Sequence, residues 1–154
     1  MDYKHTQIGY LILGVLLFTA LFFLGVYIMA STEPQSVNSG TNFVVTVTIV
    51  LILFILASFW SLQVIINKNY LKIKFGYGIF KKSFSLKEIK SVQVVKNHWY
   101  YGWGIRLFLW PKMWIYNVSG YGAVEITMKD GKRYRIGTDE PIKLEQALKK
   151  SIKK

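Results

Sequence analysis

The sequence predicts an α+β protein: a two-helix transmembrane hairpin, then a seven-stranded antiparallel barrel or sandwich capped by a C-terminal helix. Three observations predict it. Two uncharged apolar runs, Ile8 to Ala30 and Phe43 to Ile66, fill most of the first 67 residues. The chain after Asn67 alternates apolar and polar residues over about seven short stretches. The tail TDEPIKLEQALKKSIKK places Leu144, Ala147, Leu148 and Ile152 at helical spacing.

The two runs are the transmembrane part, residues 1–67, with spans expected at 8–30 and 43–66. At about 1.5 Å per residue either run is long enough for a hydrocarbon core of roughly 30 Å. The leader MDYKHTQ carries little positive charge and a second run follows the first, so a membrane anchor is preferred to a cleaved signal peptide. The connection STEPQSVNSGTN has no Lys or Arg, whereas Lys4 precedes the first run and Lys68, Lys72 and Lys74 follow the second. The positive-inside rule then puts both termini in the cytoplasm of a cell with this protein in its inner membrane. No ionisable residue interrupts either run, so the features of an ion path or proton relay are missing.

Residues 68–154 form the expected cytoplasmic domain. YLKIKF, GIFKKSF, IKSVQVV, IRLFL, WIYNV, AVEITM and RYRIG read as half-buried strands, and Asp130-Gly131 between the last two is a hairpin turn signal. Acidic residues and Pro141 begin the C-terminal segment and lysines end it, matching the helix dipole. An amphipathic helix needs an apolar partner, and a small curled sheet needs one end closed.

At this point the chain resembles a family. YLKIKFGYGIFKKSFSLKEIKSV is similar to the opening of bacterial pleckstrin-homology-like domains, which often follow one or two membrane spans. HWYYGWGIR, WIYNVSGYGAVEITMKDGKRYRIGTDEP and the two spans resemble a subgroup of small membrane proteins with that domain. The resemblance implies a fold and a topology and no catalytic residues. Relatives in the wider superfamily bind phosphoinositides through a basic loop between the first two strands. Here that turn is FGYG, with Lys81 and Lys82 only on the next strand, so that ligand is not carried over.

Charge and aromatic residues supply the candidate binding residues. Of the 20 Lys and Arg, 19 follow Asn67 against six of the eight Asp and Glu, a net charge of +13 there. Lys68, Lys72, Lys74, Lys81 and Lys82 are expected to attract anionic phospholipid, at about 1 kcal/mol per well-placed cation; guarding sheet edges is the plainer use of such lysines. HWYYGWGIR contributes Trp99, Tyr100, Trp103 and Arg106. Its structural reading has two aromatics packed in the barrel and glycines shaping a corner; its functional reading has the others, with Trp110, Lys112 and Trp114 of a hairpin tip, forming an interfacial rim. Arg106 has two candidate partners, Glu125 inside the fold and a lipid phosphate outside it, and Glu125 is preferred.

Nothing assembles a nucleophile, a base and an oxyanion site. No catalytic residue, metal site or cofactor is assigned. His5 and His98 read as surface residues at the membrane–water boundary, and Asp139 and Glu140 as helix-start residues. Nucleic acid ranks behind the membrane as a polyanionic partner, because no helix-turn-helix, zinc or RNP-like pattern is present. The expectation is a non-catalytic binding or scaffold protein whose domain meets the inner leaflet or a partner membrane protein. The alternative is an assembly subunit that self-associates as a homo-oligomer through the rim aromatics.

Overall fold

The computed structural model describes residues 3–31 and 39–153, with side chains described outside residues 30–42. It is α+β: an N-terminal apolar helix, a set of antiparallel and mixed sheets, and a C-terminal helix. The elements in order are β1 (Tyr3–Ile8), α1 (Tyr10–Ser31), α2 (Ser39–Ala57), β2 (Ser61–Ile66), β3 (Tyr70–Phe75), β4 (Lys81–Ser85), β5 (Ile89–Lys96), β6 (Gly104–Leu109), β7 (Lys112–Asn117), β8 (Gly122–Met128), β9 (Arg133–Gly137) and α3 (Pro141–Ile152). The core of the expected outward loop, residues 32–38, lies outside the described residues.

Helix α1 is long and apolar enough to cross a membrane, and none of its apolar window is buried by the rest of the chain. The apolar part of α2, Phe43–Ala57, is shorter. The two helices pack against one another.

The apolar run 43–66 is not one span. Its helix stops at Ala57, and Ser61–Ile66 is a strand. Strand β2 lies between β1 and β3, with Leu62, Val64 and Ile66 fully buried. A central strand of that kind is apolar for the same reason a spanning helix is, so composition alone does not separate them. The boundary expected after Asn67 shifts accordingly: β1 and β2, both from the first 67 residues, belong to the sheet. There are nine strands among the described residues, against seven expected.

Sheet A has the order β1-β2-β3-β4 and is antiparallel throughout. Sheet B has the order β5-β8-β9-β7-β6, with β7 and β9 parallel. No ladder joins the two sheets among the described residues, so they form an open sandwich. Their inner faces share one core, including Leu71, Ile73, Phe75 and Phe84 from sheet A and Tyr116, Val124, Ile126 and Ile136 from sheet B. Helix α3 packs on β5, β8 and β2, adding Leu144 and Leu148, both fully buried. His5 on β1 reaches the start of α3: its Nε2 lies 2.5 Å from Asp139 Oδ1 and its Nδ1 3.4 Å from Glu140 Oε2. The first strand is thus tied to the last helix.

Candidate functional site: a groove at the base of the helices

The apolar helices join the sheet through short connections, Gly9 before α1 and Ser58 to Trp60 after α2. β1 and β2 pair from Tyr3↔Ile66 to Ile8↔Ser61, and the next bond, from Gly9 N–H to Trp60 C=O at 2.8 Å, leads directly into α1. The β3–β4 turn clamps the other side of the junction. Phe80 stacks on Phe59 at 4.9 Å between ring centroids, Tyr77 stacks on Phe54 at 6.4 Å, and Gly76 N–H donates to Ser61 C=O at 2.9 Å.

Beside this junction runs an open groove of about 720 Å³. One wall is Leu11, Ile12 and Val15 of α1 with Ile55 and Leu56 of α2 and Phe59 just beyond it; the other is Trp103 to Phe108, which is mostly β6, an edge strand of sheet B. A smaller cleft between β4 and the β6–β7 pair includes Ile105, Tyr116, Lys81 and Lys82.

The segment from His98 divides its aromatics. Tyr101 is 6% exposed, whereas Trp99, at 76%, and Tyr100 face out. Tyr101 does not enter the main core. It covers the opposite face of sheet B, packed with Met113, Ile115 and Phe108 in a second cluster, with its ring 4.6 Å from Phe108 and under the Arg135 guanidinium at 5.4 Å. The expected pair of barrel-packed aromatics is therefore a single ring on the outer face. Tyr100 stacks on His98 at 5.1 Å, and Trp103 is half-buried in the groove wall.

Arg106 does not pair with Glu125. Glu125, itself buried, is taken by Arg135 at 2.6 Å and Arg133 at 3.8 Å, with Gln93 donating at 3.3 Å. Two nearer cations on the neighbouring strand β9 outcompete a residue across the sheet. Arg106 instead lines the groove, its Nε donating to Trp103 C=O at 3.2 Å.

The hairpin tip forms where expected, but its turn is shifted by one residue: the sequence places Pro111 and Lys112 in the turn, and Lys112 is instead the first residue of β7. β6 and β7 pair from Gly104↔Asn117 to Leu109↔Lys112, leaving Trp110 and a cis-linked Pro111 as the turn. Trp110 is 93% exposed, and Leu107, Leu109, Lys112 and Trp114 are exposed around it.

The lysines separate into three groups. Lys72, Lys74 and Lys81 share the outer face of sheet A with Lys4, and Lys74 sits directly opposite Lys81. Lys82 pairs with Ile73 and borders the inter-sheet cleft. Lys68 lies in the β2–β3 turn, at the far end of β2 from the helices, because six strand residues at about 3.3 Å carry the chain roughly 20 Å away. Its sequence position just after an apolar run had placed it at the membrane; the strand hidden in that run removes it.

Sequence reasoning missed the helix-facing wall of the groove, since it depends on which turn of α1 meets β6. It also missed β1 and β2. Their signal was Gln63, an amide inside a run longer than a span needs, facing Thr6, whose hydroxyl accepts from Gln63 Nε2 at 3.0 Å. Among the described residues no group of three or more His, Cys, Asp or Glu stands together as a metal site. No family model matches the chain, and neither do curated proteins or solved structures.

Proposed function

We propose that this chain is an integral protein of the bacterial inner membrane. It crosses twice and carries a cytoplasmic pleckstrin-homology-like domain that binds anionic lipid of the inner leaflet, or a partner membrane protein, without catalysis. The observation that carries this reading is the β1–β2 ladder running flush into α1 and out of α2. Its ends are hydrogen-bonded neighbours, which supports a segment that leaves and returns on one side of the membrane. This arrangement supports an even number of crossings, with α1 as the outward span and the shorter α2 as its return.

The charge distribution supports lipid contact. Along the strands, Lys74 pairs with Gln63, about 7 Å below the helix base, and Lys72 with Ile65, about 13 Å below. Against a screening length of about 8 Å at physiological salt, Lys74 and its cross-strand neighbour Lys81 feel an anionic leaflet most and Lys68 least. Two like charges directly opposite on paired strands destabilise a sheet, and an anionic surface before Lys74 and Lys81 offsets that repulsion. Trp110, Leu109 and Trp114 supply amphipathic and apolar surface suited to the headgroup region.

The chain has no cysteine, so single-cysteine versions of the full protein test this cleanly. Lys68→Cys should react with a membrane-impermeant thiol reagent only after cells are opened. Trp110→Cys should be protected in anionic vesicles and react in neutral ones or at high salt. Labelling of Lys68→Cys in intact cells would sink the topology, and salt-independent labelling of Trp110→Cys would sink the docking. The free edge of β6 and exposed Leu107, Leu109 and Trp110 favour a second reading, self-association. It predicts an oligomer in neutral detergent that persists in high salt.

A further inference from the structure

We propose that the groove between the helix base and β6 is a binding site for one anionic phospholipid, its acyl chain against the helices and its phosphate on Arg106. This rests on the membrane reading above and adds to it a defined site, separate from the lysine face of sheet A.

The groove is amphipathic along a single direction. Leu11, Val15, Ile55 and Phe59 form a wall with no polar side chain, and Arg106 with Trp103 stands on the opposite wall. Leu11, Val15 and Ile55 are exposed. In a bilayer the medium in contact with those faces is lipid, continuous with the groove. An acyl chain entering from that side meets only apolar surface until it reaches β6.

Arg106 is prepared for a phosphate. Its guanidinium lies against the backbone at Gly102, where a Cβ would sit 2.9 Å from Cζ, and Gly102 has a φ of +67° that favours glycine. The missing side chain makes a seat, and the bond from Nε to Trp103 C=O fixes the plane. The terminal nitrogens have no carboxylate partner among the described residues, since Glu125 is held by Arg133 and Arg135. A fixed planar guanidinium with free N–H groups recognises two oxygens of one phosphate at once, and its side-chain entropy is already spent. Trp103 beside it adds an amphipathic ring at headgroup level.

The test is native mass spectrometry of the full chain, extracted from anionic-lipid membranes in mild detergent, with alkaline carbonate washing to verify membrane integration. The wild-type chain should retain one anionic phospholipid. Arg106→Gln should weaken lipid binding by roughly tenfold or more, seen as lower occupancy, as loss of a charge-assisted hydrogen bond implies. Val15→Trp should exclude the lipid by filling the groove with Arg106 intact, and the double variant Lys72→Gln, Lys74→Gln should leave occupancy unchanged. Millimolar inorganic phosphate should not displace the lipid, because it lacks the chain. The inference is overturned by a wild-type chain without lipid, by equal retention of a zwitterionic lipid, by displacement with phosphate, or by full occupancy in Arg106→Gln and Val15→Trp. Loss only in the lysine variant overturns the site while leaving leaflet docking standing; a chain stripped by carbonate overturns both.

Discussion

Replacing residues 10–59 with Asn-Gly should yield a water-soluble domain, whereas residues 68–154 alone should not fold. The geometry sets both expectations. Gly9 and Trp60 are joined by the last bond of the β1–β2 ladder, and a two-residue type I′ turn closes such a pair with the right twist. Truncation at 68 discards Leu62, Val64 and Ile66, each at most 1% exposed. At about 1.5–3 kcal/mol per side chain the loss is roughly 5–9 kcal/mol, comparable with the ~5–15 kcal/mol that holds a whole domain. The replacement loses only the partly buried Phe59 and Ile12 from that core, roughly 2–4 kcal/mol together. The assay is urea unfolding followed by circular dichroism, with size-exclusion chromatography in the absence of detergent. A cooperative transition in residues 68–154, at a midpoint equal to that of the replacement version, would refute the claim that β1 and β2 are part of the domain.

The same soluble version serves for three further measurements. Tyr101→Ala should cost about 3 kcal/mol, because it empties the centre of the cluster with Met113, Ile115 and Phe108, and protease should then cut first between residues 98 and 103; unaltered cleavage would show that Tyr101 does not pin this segment. Gly76→Ala should cost more than ~2 kcal/mol, since its Cβ would lie 2.5 Å from Ser58 O and its φ of +39° disfavours a side chain; in the replacement version, which lacks Ser58, the cost should fall to the ~1–2 kcal/mol of the backbone alone. Burial, and then the neighbouring Tyr134, push the Tyr116 phenol up to about 12. An unfolded tyrosine ionises near 10, so between pH 10 and 12 the unfolded state loses a proton that the folded state keeps. Stability should therefore fall by about 2–3 kcal/mol as pH rises through that window, and Tyr116→Phe should flatten the slope; an unchanged slope would assign it elsewhere.

How much of this was legible in the sequence depends on whether neighbours in sequence are neighbours in the physics. YLKIKF, AVEITM and RYRIG alternate because one face meets a core and the other water, and Asp130-Gly131 turns the chain locally; these stretches are strands in the structure. Tyr70 to Phe75 matches residue for residue. Strand β2 was not legible as a strand, because flanking strands and a core hide it on both sides and leave it as apolar as a lipid-facing helix. Strand β1 was not legible because its partner lies beyond both helices. Of the site residues, Trp110 and Lys112 are exposed at the hairpin tip, and Trp99 and Tyr100 are exposed too, although which aromatics of 98–106 face out was not legible because it depends on how that segment seats on sheet B. Arg106 was read toward Glu125 because the only visible criterion was charge. Which of Arg106, Arg133 and Arg135 wins is settled by sheet order, with β9 next to β8 and β6 two strands farther away. The groove was out of reach for a similar reason: Val15 and Leu107 are brought together only once both sheets have formed.

The ladder between Tyr3–Ile8 and Ser61–Ile66 also orders events in time. β1 is synthesised before α1 and α2 yet stays without its partner until both helices have been made. Every other antiparallel ladder but one joins strands adjacent in the chain, and the exception, β5 with β8, lies wholly within the later half. Sheet B can form as it emerges, while sheet A waits for its edge. A chain that sent only one helix across a membrane would strand β1 on the opposite side, leaving β2 with an open edge and His5 out of reach of Asp139. On the proposed two-span topology, completion of sheet A, and the docking of α3 against it, would report that both helices had crossed together. Under that proposal β1 would serve as a receipt for topology, its absence leaving the edge of β2 unpaired.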